Sequence, residues 1–456
     1  MKFVAEACAA ELKRGSGEMS IQGISTDSRQ ARTGDVFFAI RGERFDGHDF
    51  LNEVIAKGVG AVVVEREKIP GSLPECAVLV VEDARRALGR LAAAYRGEFG
   101  LPVIAVGGSN GKTTVKELIA SVLRQQRTVL WSEASFNNDI GVPLTLLKLE
   151  KSHQSAVLEA GTNHPGELAP LVKMIQPKYG VITSIGREHL EFFGDVAGVA
   201  EEEGWLAELL PAEGRLLVNG DSEWTEAIVR RARAMVVRVG FGEKNDWRAK
   251  GIRLDKSGAT FRVEAPKPEF SGEYRVNLLG RHQVVNALLA VAVGAELGLD
   301  CSAVRDGLVH CKPARMRMEF WEAGGVRVLD DAYNANADST VAALETLCDL
   351  PLQGRRVAVL GDMAELGAQS EAAHAEVGRR AAELGIGQLF AVGKMAAVMA
   401  AAARKAGLSR VIEFADVEAA KSAVKNFLKA GDVVLLKASR AAHLERIAES
   451  LKSEQS

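Results

Sequence analysis

Two kinds of hydrophobic spacing alternate along the chain. Short continuous apolar runs such as Ala77–Val81 and Val103-Ile104-Ala105-Val106 predict buried strands, while segments with apolar residues three and four apart predict helices. Residues 1–98 hold strand runs at Asp35–Ile40, Ala61–Val64 and Ala77–Val81. A helix over Ala84–Tyr95 follows and stops near Gly97 and Gly100. Over residues 99–314 the short apolar strands Ser155–Glu159, Tyr179–Ile185 and Arg215–Val218 alternate with helices, as in a buried parallel sheet. Residues 247–279 change character: Thr260–Glu264 and Tyr274–Leu278 alternate with period two, the mark of antiparallel strands. An alanine-rich helix over Val284–Leu297 ends at Gly298. From residue 315 the pattern restarts with strands Val326–Leu329, Val357–Leu360, Leu389–Val392 and Val433–Leu436, predicting a second open parallel sheet of dinucleotide-fold type. The expected architecture is α/β in three domains: a small N-terminal α/β domain (1–98), a central domain with a mostly parallel sheet (99–314) and a C-terminal dinucleotide-fold-like domain (315–456). Residues 452–456 are expected to fray.

The strand Val103–Val106 runs into Gly107-Gly108-Ser109-Asn110-Gly111-Lys112-Thr113-Thr114. Val115, Leu118, Ile119, Val122 and Leu123 then share one helical face. Strand, glycine loop and helix N-terminus together make a phosphate cradle, because backbone N–H groups converge where glycine lets an anion approach. Lys112 can reach terminal phosphates and the Thr113 hydroxyl can ligate Mg²⁺. The loop is short, with two residues between Gly108 and Gly111 where four are usual. The central domain is therefore expected to be a P-loop-type ATPase domain that binds ATP through Gly108, Ser109, Asn110, Gly111, Lys112, Thr113 and Thr114.

Composition narrows the setting. The chain of 456 residues is too long for one core, and 47% hydrophobic with 26% charged residues is ordinary for a globular protein. A net charge of −3 argues against a nucleic-acid scaffold or membrane surface, and no apolar run is long enough to cross a bilayer. The N-terminus lacks the apolar stretch of a secretory signal. Five scattered cysteines, none in a C-x-x-C pair, fit a reducing cytoplasm better than a disulfide framework or zinc site.

In open α/β sheets ligands sit at the carboxyl ends of strands. Glu159, Asp330, Asp331 and Lys437 end strands there, and His189 and Asp362 follow by short loops. A triphosphate brings Mg²⁺, which prefers carboxylate oxygens and water, so Glu159 is the leading candidate ligand and His189 the second.

At this point the chain resembles the Mur ligase family from end to end. The likeness rests on Ser25–Arg29, Arg41–Phe50, Gly107–Thr114, Asn137–Pro143, Glu159–Glu167, His189–Glu191, Gly280–His282 with Asn286 and Ala287, Arg317–Glu319, Asp330–Asn336, Gly361–Gly367 and Lys437–Arg440. The resemblance implies an ATP-dependent ligase that joins D-alanyl-D-alanine to UDP-N-acetylmuramoyl-tripeptide through an acyl phosphate, in cytoplasmic peptidoglycan-precursor synthesis, acting as a monomer without nucleic-acid or membrane partners. It implies that Lys112 and Arg317 hold the transferring phosphoryl group and that Thr113, Glu159 and His189 hold Mg²⁺. His282 and Asn286 would meet the adenine and Asp331 the ribose. Ser28, Arg29, Gly47 and His48 would hold the uridine diphosphate end, and Asn137 and Asn138 the sugar–peptide part. Asn334, Asn336, Ser439 and Arg440 would meet the peptide tail and the incoming dipeptide. Whether the third residue of the tripeptide is meso-diaminopimelate or L-lysine is left open by the resemblance. Another ligase of the family, or a non-catalytic nucleotide-binding protein, are the alternatives.

Three positions depart from the family pattern: Gly107 replaces a usual Thr, Ala438 a common Gly, and Glu203 stands where the family places a CO₂-carbamylated lysine that supports a second Mg²⁺. Two readings of Glu203 follow. Either the carboxylate is supplied genetically and acts in catalysis, or Glu201-Glu202-Glu203 is a solvated acidic first turn favoured by the helix macrodipole.

Overall fold

The computed structural model describes residues 1–69, 71, 75–351 and 353–452; of the expected frayed end, residues 453–456 lie outside that range. Three sheets run in chain order. The first is ordered Glu11–Arg14, Ala77–Val81, Ala61–Glu65, Val36–Phe38, Ile24–Ser25, parallel except for its first strand. The central sheet has nine strands, in the order Gly272–Val276, Gly258–Glu264, Trp247–Asp255, Met235–Gly240, Arg215–Asn219, Tyr179–Ile182, Val103–Gly107, Ser155–Glu159, Val129–Trp131. Its seven strands from Trp247–Asp255 onward are parallel, and the two beyond that one are antiparallel, as their period-two pattern predicts. The third sheet is Glu319–Ala323, Val326–Asp330, Val433–Lys437, Arg356–Gly361, Gln388–Val392, Val411–Phe414, with only the first strand antiparallel. The fold is α/β throughout.

Register places the site. Val103–Gly107 lies between Ser155–Glu159 and Tyr179–Ile182, pairing Val106 with Glu159 and Gly107 with Ile182. Three strand ends therefore deliver the glycine loop, the Glu159 carboxylate and the 183–189 loop side by side. The expected strand Tyr179–Ile185 stops at Ile182, and its last residues become part of that loop. Behind it, helix Lys112–Leu123 buries Val115, Leu118, Ile119 and Val122 against His282–Glu296 and Cys301–His310. Gly307 allows this approach, since a β-carbon there would lie 2.4 Å from Val122 Cα.

Helix Ala84–Gly97 belongs to two cores. Leu88 and Leu91 pack into the N-terminal cluster, while Ala92 packs with Leu171 and Ile175 of the central domain. Buried Arg96 donates to the carbonyls of Ile175 (3.1 Å) and Gln176 (3.2 Å).

The helix carrying the acidic run starts at Val196, capped by Asp195 accepting from Gly198 N–H at 2.9 Å. Glu201–Glu203 therefore fall in its second turn, and Glu202 and Glu203 are buried. The solvated first-turn reading is overturned for both, because the helix begins one turn earlier than the acids suggested. Ala438 does not have a positive φ, so a β-carbon there is unstrained.

In the third domain fully buried His374 organises the Asp362–Gly367 loop. Its Nδ1 donates to Ser370 O (2.7 Å) and its Nε2 accepts from Met363 N–H (2.9 Å), which requires the neutral ring. Burial holds its pKa below the usual 6.5. The native state thus resists protonation, so this contribution to stability is complete above about pH 6.5 and is lost as pH falls below it. In calorimetry from about pH 7 to about pH 5, the wild-type Tm should fall more steeply than that of His374→Gln. Equal slopes would show that His374 does not carry the effect.

Candidate active site

A cavity of about 630 Å³ opens where the central strand ends face the C-terminal domain, lined by Lys112, Thr113, Glu159, His189, Arg317 and Asp331 among others. The glycine loop forms its floor. Gly108 (φ +106°) and Gly111 (φ +88°) occupy the left-handed region. A β-carbon on Gly108 would lie 2.5 Å from Thr183 Oγ1, so a side chain is excluded by contact as well as by φ. The first loop N–H groups are used internally: Gly108 donates to Glu203 Oε2 (2.7 Å), Ser109 to Ser184 O (2.7 Å) and Asn110 to Ser184 Oγ (3.0 Å). The helix beginning at Lys112 has no side-chain cap. Its leading N–H groups, from Gly111 to Thr114, have no intrahelical acceptor and present the positive end of the dipole to the cavity.

Lys112 Nζ donates to Gly108 O (2.5 Å) and Glu188 Oε2 (3.1 Å). Glu188, Glu203 and Glu159 together raise its pKa against burial, so the ammonium stays charged. Arg317 stacks on Tyr333 (4.1 Å to the ring centroid) with Nη2 3.5 Å from Thr113 Oγ1. Glu159 is buried; its Oε1 accepts from Asn137 Nδ2 (2.9 Å), while Oε2 has no partner. His189 Nδ1 contacts Glu365 Oε2 at 2.5 Å. That carboxylate orients the ring and leaves Nε2 to face a ligand.

This donor set fits Mg²⁺. Glu159 supplies an unsatisfied buried carboxylate oxygen, Thr113 a hydroxyl and His189 a ring nitrogen, with phosphate and water left to complete an octahedron. Among the described residues no three His, Cys, Asp or Glu side chains converge as a metal cage.

His282 and Asn286 line the cavity, joined through Gln283, whose Oε1 accepts from Asn286 Nδ2 (2.9 Å). Burial pushes the His282 pKa down to about 4, leaving a neutral ring. Asp331 receives Lys437 Nζ (2.5 Å) and Met318 N–H (3.0 Å). Asn137, Asn138, Asn334 and Asn336 also line the cavity. Asn336 does two further jobs: its Oδ1 caps helix Ala337–Asp349 and its Nδ2 donates to Asn110 Oδ1 (3.0 Å) of the phosphate loop.

Ser439 and Arg440 do not line the cavity. The Ser439 hydroxyl donates to Ala335 O (3.1 Å) and accepts from Ala364 N–H (2.8 Å), holding two cavity loops together. Ser28, Arg29, Gly47 and His48, all in the first domain, do not line the cavity either. Arg29 is fastened to Asp27 (2.6 Å), and His48 sits between Asp46 (2.6 Å) and Glu65 N–H (3.0 Å). Gly47 is required by close approach, since a β-carbon would lie 2.7 Å from Ile40 N. Of the other strand-end acids, Asp330 accepts from Ala332 N–H (3.3 Å) and Asp362 from Lys394 and Met395 N–H (2.9 Å each), so both serve local structure.

Sequence reasoning missed Glu188, whose only signal is adjacency to His189, and Arg187. The Arg187 guanidinium bridges Asp338 (2.6 Å) and Glu376 (2.5 Å) of the C-terminal domain, and its own N–H bonds Asp338 (2.8 Å).

Family models match nearly the whole chain: "Mur ligase family, catalytic domain" over residues 20–96, "Mur ligase middle domain" over 106–294 and "Mur ligase, glutamate ligase domain" over 316–440. The chain belongs to the Mur ligase family. Among its relatives is the UDP-N-acetylmuramoyl-tripeptide–D-alanyl-D-alanine ligase of Escherichia coli K12, 37% identical over 443 residues that cover 95% of this chain and 94% of that one. Crystal structure I of MurF from Acinetobacter baumannii superposes with a TM-score of 0.91 at 34% identity, covering 99% and 98% of the two chains. MurF from Thermotoga maritima in complex with ADP superposes at 0.84 with 27% identity, covering 96% and 99%.

The Arg187 bridge gives a direct check. Arg187→Ala leaves two carboxylates facing an empty position between the domains, and should widen the distribution of domain separations. Small-angle scattering should show a larger radius of gyration than for wild type, and an unchanged profile would mean that other contacts suffice.

Proposed function

We propose that this chain is an ATP-dependent ligase that forms the amide bond between UDP-N-acetylmuramoyl-tripeptide and D-alanyl-D-alanine. The reading is carried by one juxtaposition: free N–H groups at a helix start, the Lys112 ammonium and the Glu159 carboxylate share a cavity with Asn137 and Asn334. Full-length likeness to ligases of that name supports the substrate assignment.

The chemistry follows from charge. A carboxylate is a poor electrophile, so its oxygen first attacks the γ-phosphorus of ATP; the bond to ADP breaks and an acyl phosphate forms. The dipeptide amine then attacks the acyl carbon, and phosphate leaves from a tetrahedral intermediate. Negative charge accumulates at both steps, so positioned cations and N–H donors supply most of the rate. Gly111–Thr114 N–H groups hold the phosphates, and Lys112 and Arg317 follow the transferring group. Mg²⁺, when bound through Thr113, Glu159 and His189, neutralises phosphate oxygens. Neutral His282 and Asn286 face the adenine and Asp331 the ribose. Ser28, Arg29, Gly47 and His48 hold the uridine diphosphate end. Asn137 and Asn138 receive the sugar–peptide part, Asn334 and Asn336 face the peptide tail and dipeptide, and Ser439 steadies their loop through the Ala335 carbonyl. The units 1–98, 99–314 and 315–456 act as substrate, nucleotide and ligation domains of a cytoplasmic monomer. No helix among the described residues is long and apolar enough to cross a membrane.

Phosphate release should require ATP, D-alanyl-D-alanine and the UDP-linked tripeptide together; assays with meso-diaminopimelate and L-lysine tripeptides in parallel identify the third residue. Release without the dipeptide, or none with either tripeptide, would overturn the assignment. Lys112→Ala should lower turnover on the order of 10³-fold or more, because the charge it meets develops in the transition state. Retention of a tenth of the wild-type rate would remove Lys112 from the phosphoryl site. Because helix Ala84–Gly97 is shared between cores, the first domain is better tested by substitution than by truncation. Arg29→Ala should raise KM for the tripeptide about tenfold, the loss of about one charged hydrogen bond from an exposed guanidinium, with ATP affinity unchanged.

A further inference from the structure

Glu203 is fully buried, yet it does not line the cavity; it lies behind the glycine loop. Its Oε2 accepts the Gly108 N–H at 2.7 Å, and its Oε1 is buried with no hydrogen-bond partner. The residue in front of it is Gly107, at the end of the central strand. A β-carbon on Gly107 would lie 2.7 Å from that same Oε2 and 3.3 Å from Leu206 Cδ2, closer to the oxygen than real side chains come. The carboxyl group therefore fills the volume that a side chain at position 107 would need. Its neighbour Glu202 is fully occupied elsewhere, accepting from Gly166 N–H (2.9 Å) and Leu168 N–H (2.8 Å), so the acidic run divides into two different tasks.

We propose that Glu203 is a positioning residue that clamps the base of the phosphate loop through the Gly108 N–H, that Gly107 lacks a side chain in order to admit it, and that the pair acts as one unit in aiming the Gly111–Thr114 N–H groups at the nucleotide phosphates. The ligase reading supplies only the identity of that nucleotide. The clamp consumes a donor that a phosphate would otherwise attract, and so fixes which end of the loop the phosphate meets. Burial raises the Glu203 pKa against the opposing pull of Lys112. What the Gly108 N–H requires is an acceptor oxygen at the Oε2 position, a role that a glutamine amide can fill with the same shape.

The test is a double-mutant cycle read by calorimetric affinity for a non-hydrolysable ATP analogue, with melting curves run in parallel on the full chain. Glu203→Ala and Gly107→Ala should each weaken analogue binding about tenfold, and the double variant should bind no worse than either single, because the second change disturbs a clamp already lost. Glu203→Gln should bind within about threefold of wild type, since it keeps the acceptor. Losses that multiply in the double variant would overturn the pairing. Glutamine as poor as alanine would also overturn it, because the negative charge rather than the hydrogen bond would then be what the site needs. If Glu203→Ala melts too low to assay, Glu203→Asp takes its place in the cycle: the shorter arm withdraws the carboxyl group, so Gly107→Ala should cost less in that background than in wild type, and an equal cost would overturn the pairing. Wild-type analogue binding without ligase turnover would sink the ligase reading while leaving the cycle intact.

Discussion

Everything around the cavity depends on one constraint: a helix start aimed at a polyanion must be kept free of internal acceptors while the loop before it is held still. Three adjacent parallel strands in fixed register bring the loop, Glu159 and the 183–189 segment to one edge. Ser184 and Glu203 then take up the N–H groups of residues 108–110, so the loop is rigid before any ligand arrives. The donors that remain unsatisfied are those at the helix start. The cost of leaving them open is recovered only when an anion binds.

Charge balance follows the same logic. Lys112 sits among Glu188, Glu203 and Glu159, a local excess of acid that binding of a cation can relieve. Glu188 is the partner within hydrogen-bond reach, so a phosphate must displace a carboxylate to claim the ammonium. Across the cavity the C-terminal domain is joined to the same loops by Arg187, His189 and Asn110, each bonded to a residue of that domain. Nucleotide binding and domain position thus share atoms.

Much of this was legible in the sequence because its signals are local. The P-loop octet, the strand runs at 155–159 and 433–436, and the period-two segment near 260 each describe their own backbone. The missed strands include polar ones at sheet edges: Glu11–Arg14 shows water most of its side chains, and Glu319–Ala323 has only its last residue buried, while Met235–Gly240, inside the central sheet, was missed as well. Edge strands owe their conformation to a neighbour and carry weak patterns of their own. Site residues divided the same way. Lys112 and Glu159 announce themselves by position, whereas Arg187 is meaningful only because Asp338 and Glu376 lie across a domain boundary far along the chain. Glu203 was noticed, but its setting was not readable, since the capping Asp195 moves the helix start one turn upstream.

The helix Ala84–Gly97 ties the first domain to the second by burial on both sides rather than by a linker. A seam of this kind changes what recombination can do. A graft of a foreign substrate domain would have to match the central domain's surface at Leu171 and Ile175, and supply a donor where the Arg96 guanidinium now meets the Ile175 and Gln176 carbonyls, before it could bring any new specificity. The first two domains are therefore bound to a shared history. The third has an apolar seam of its own, since Leu190 and Val199 of the central domain belong to one buried cluster with its Leu344 and Leu366, so replacing it would meet the same requirement.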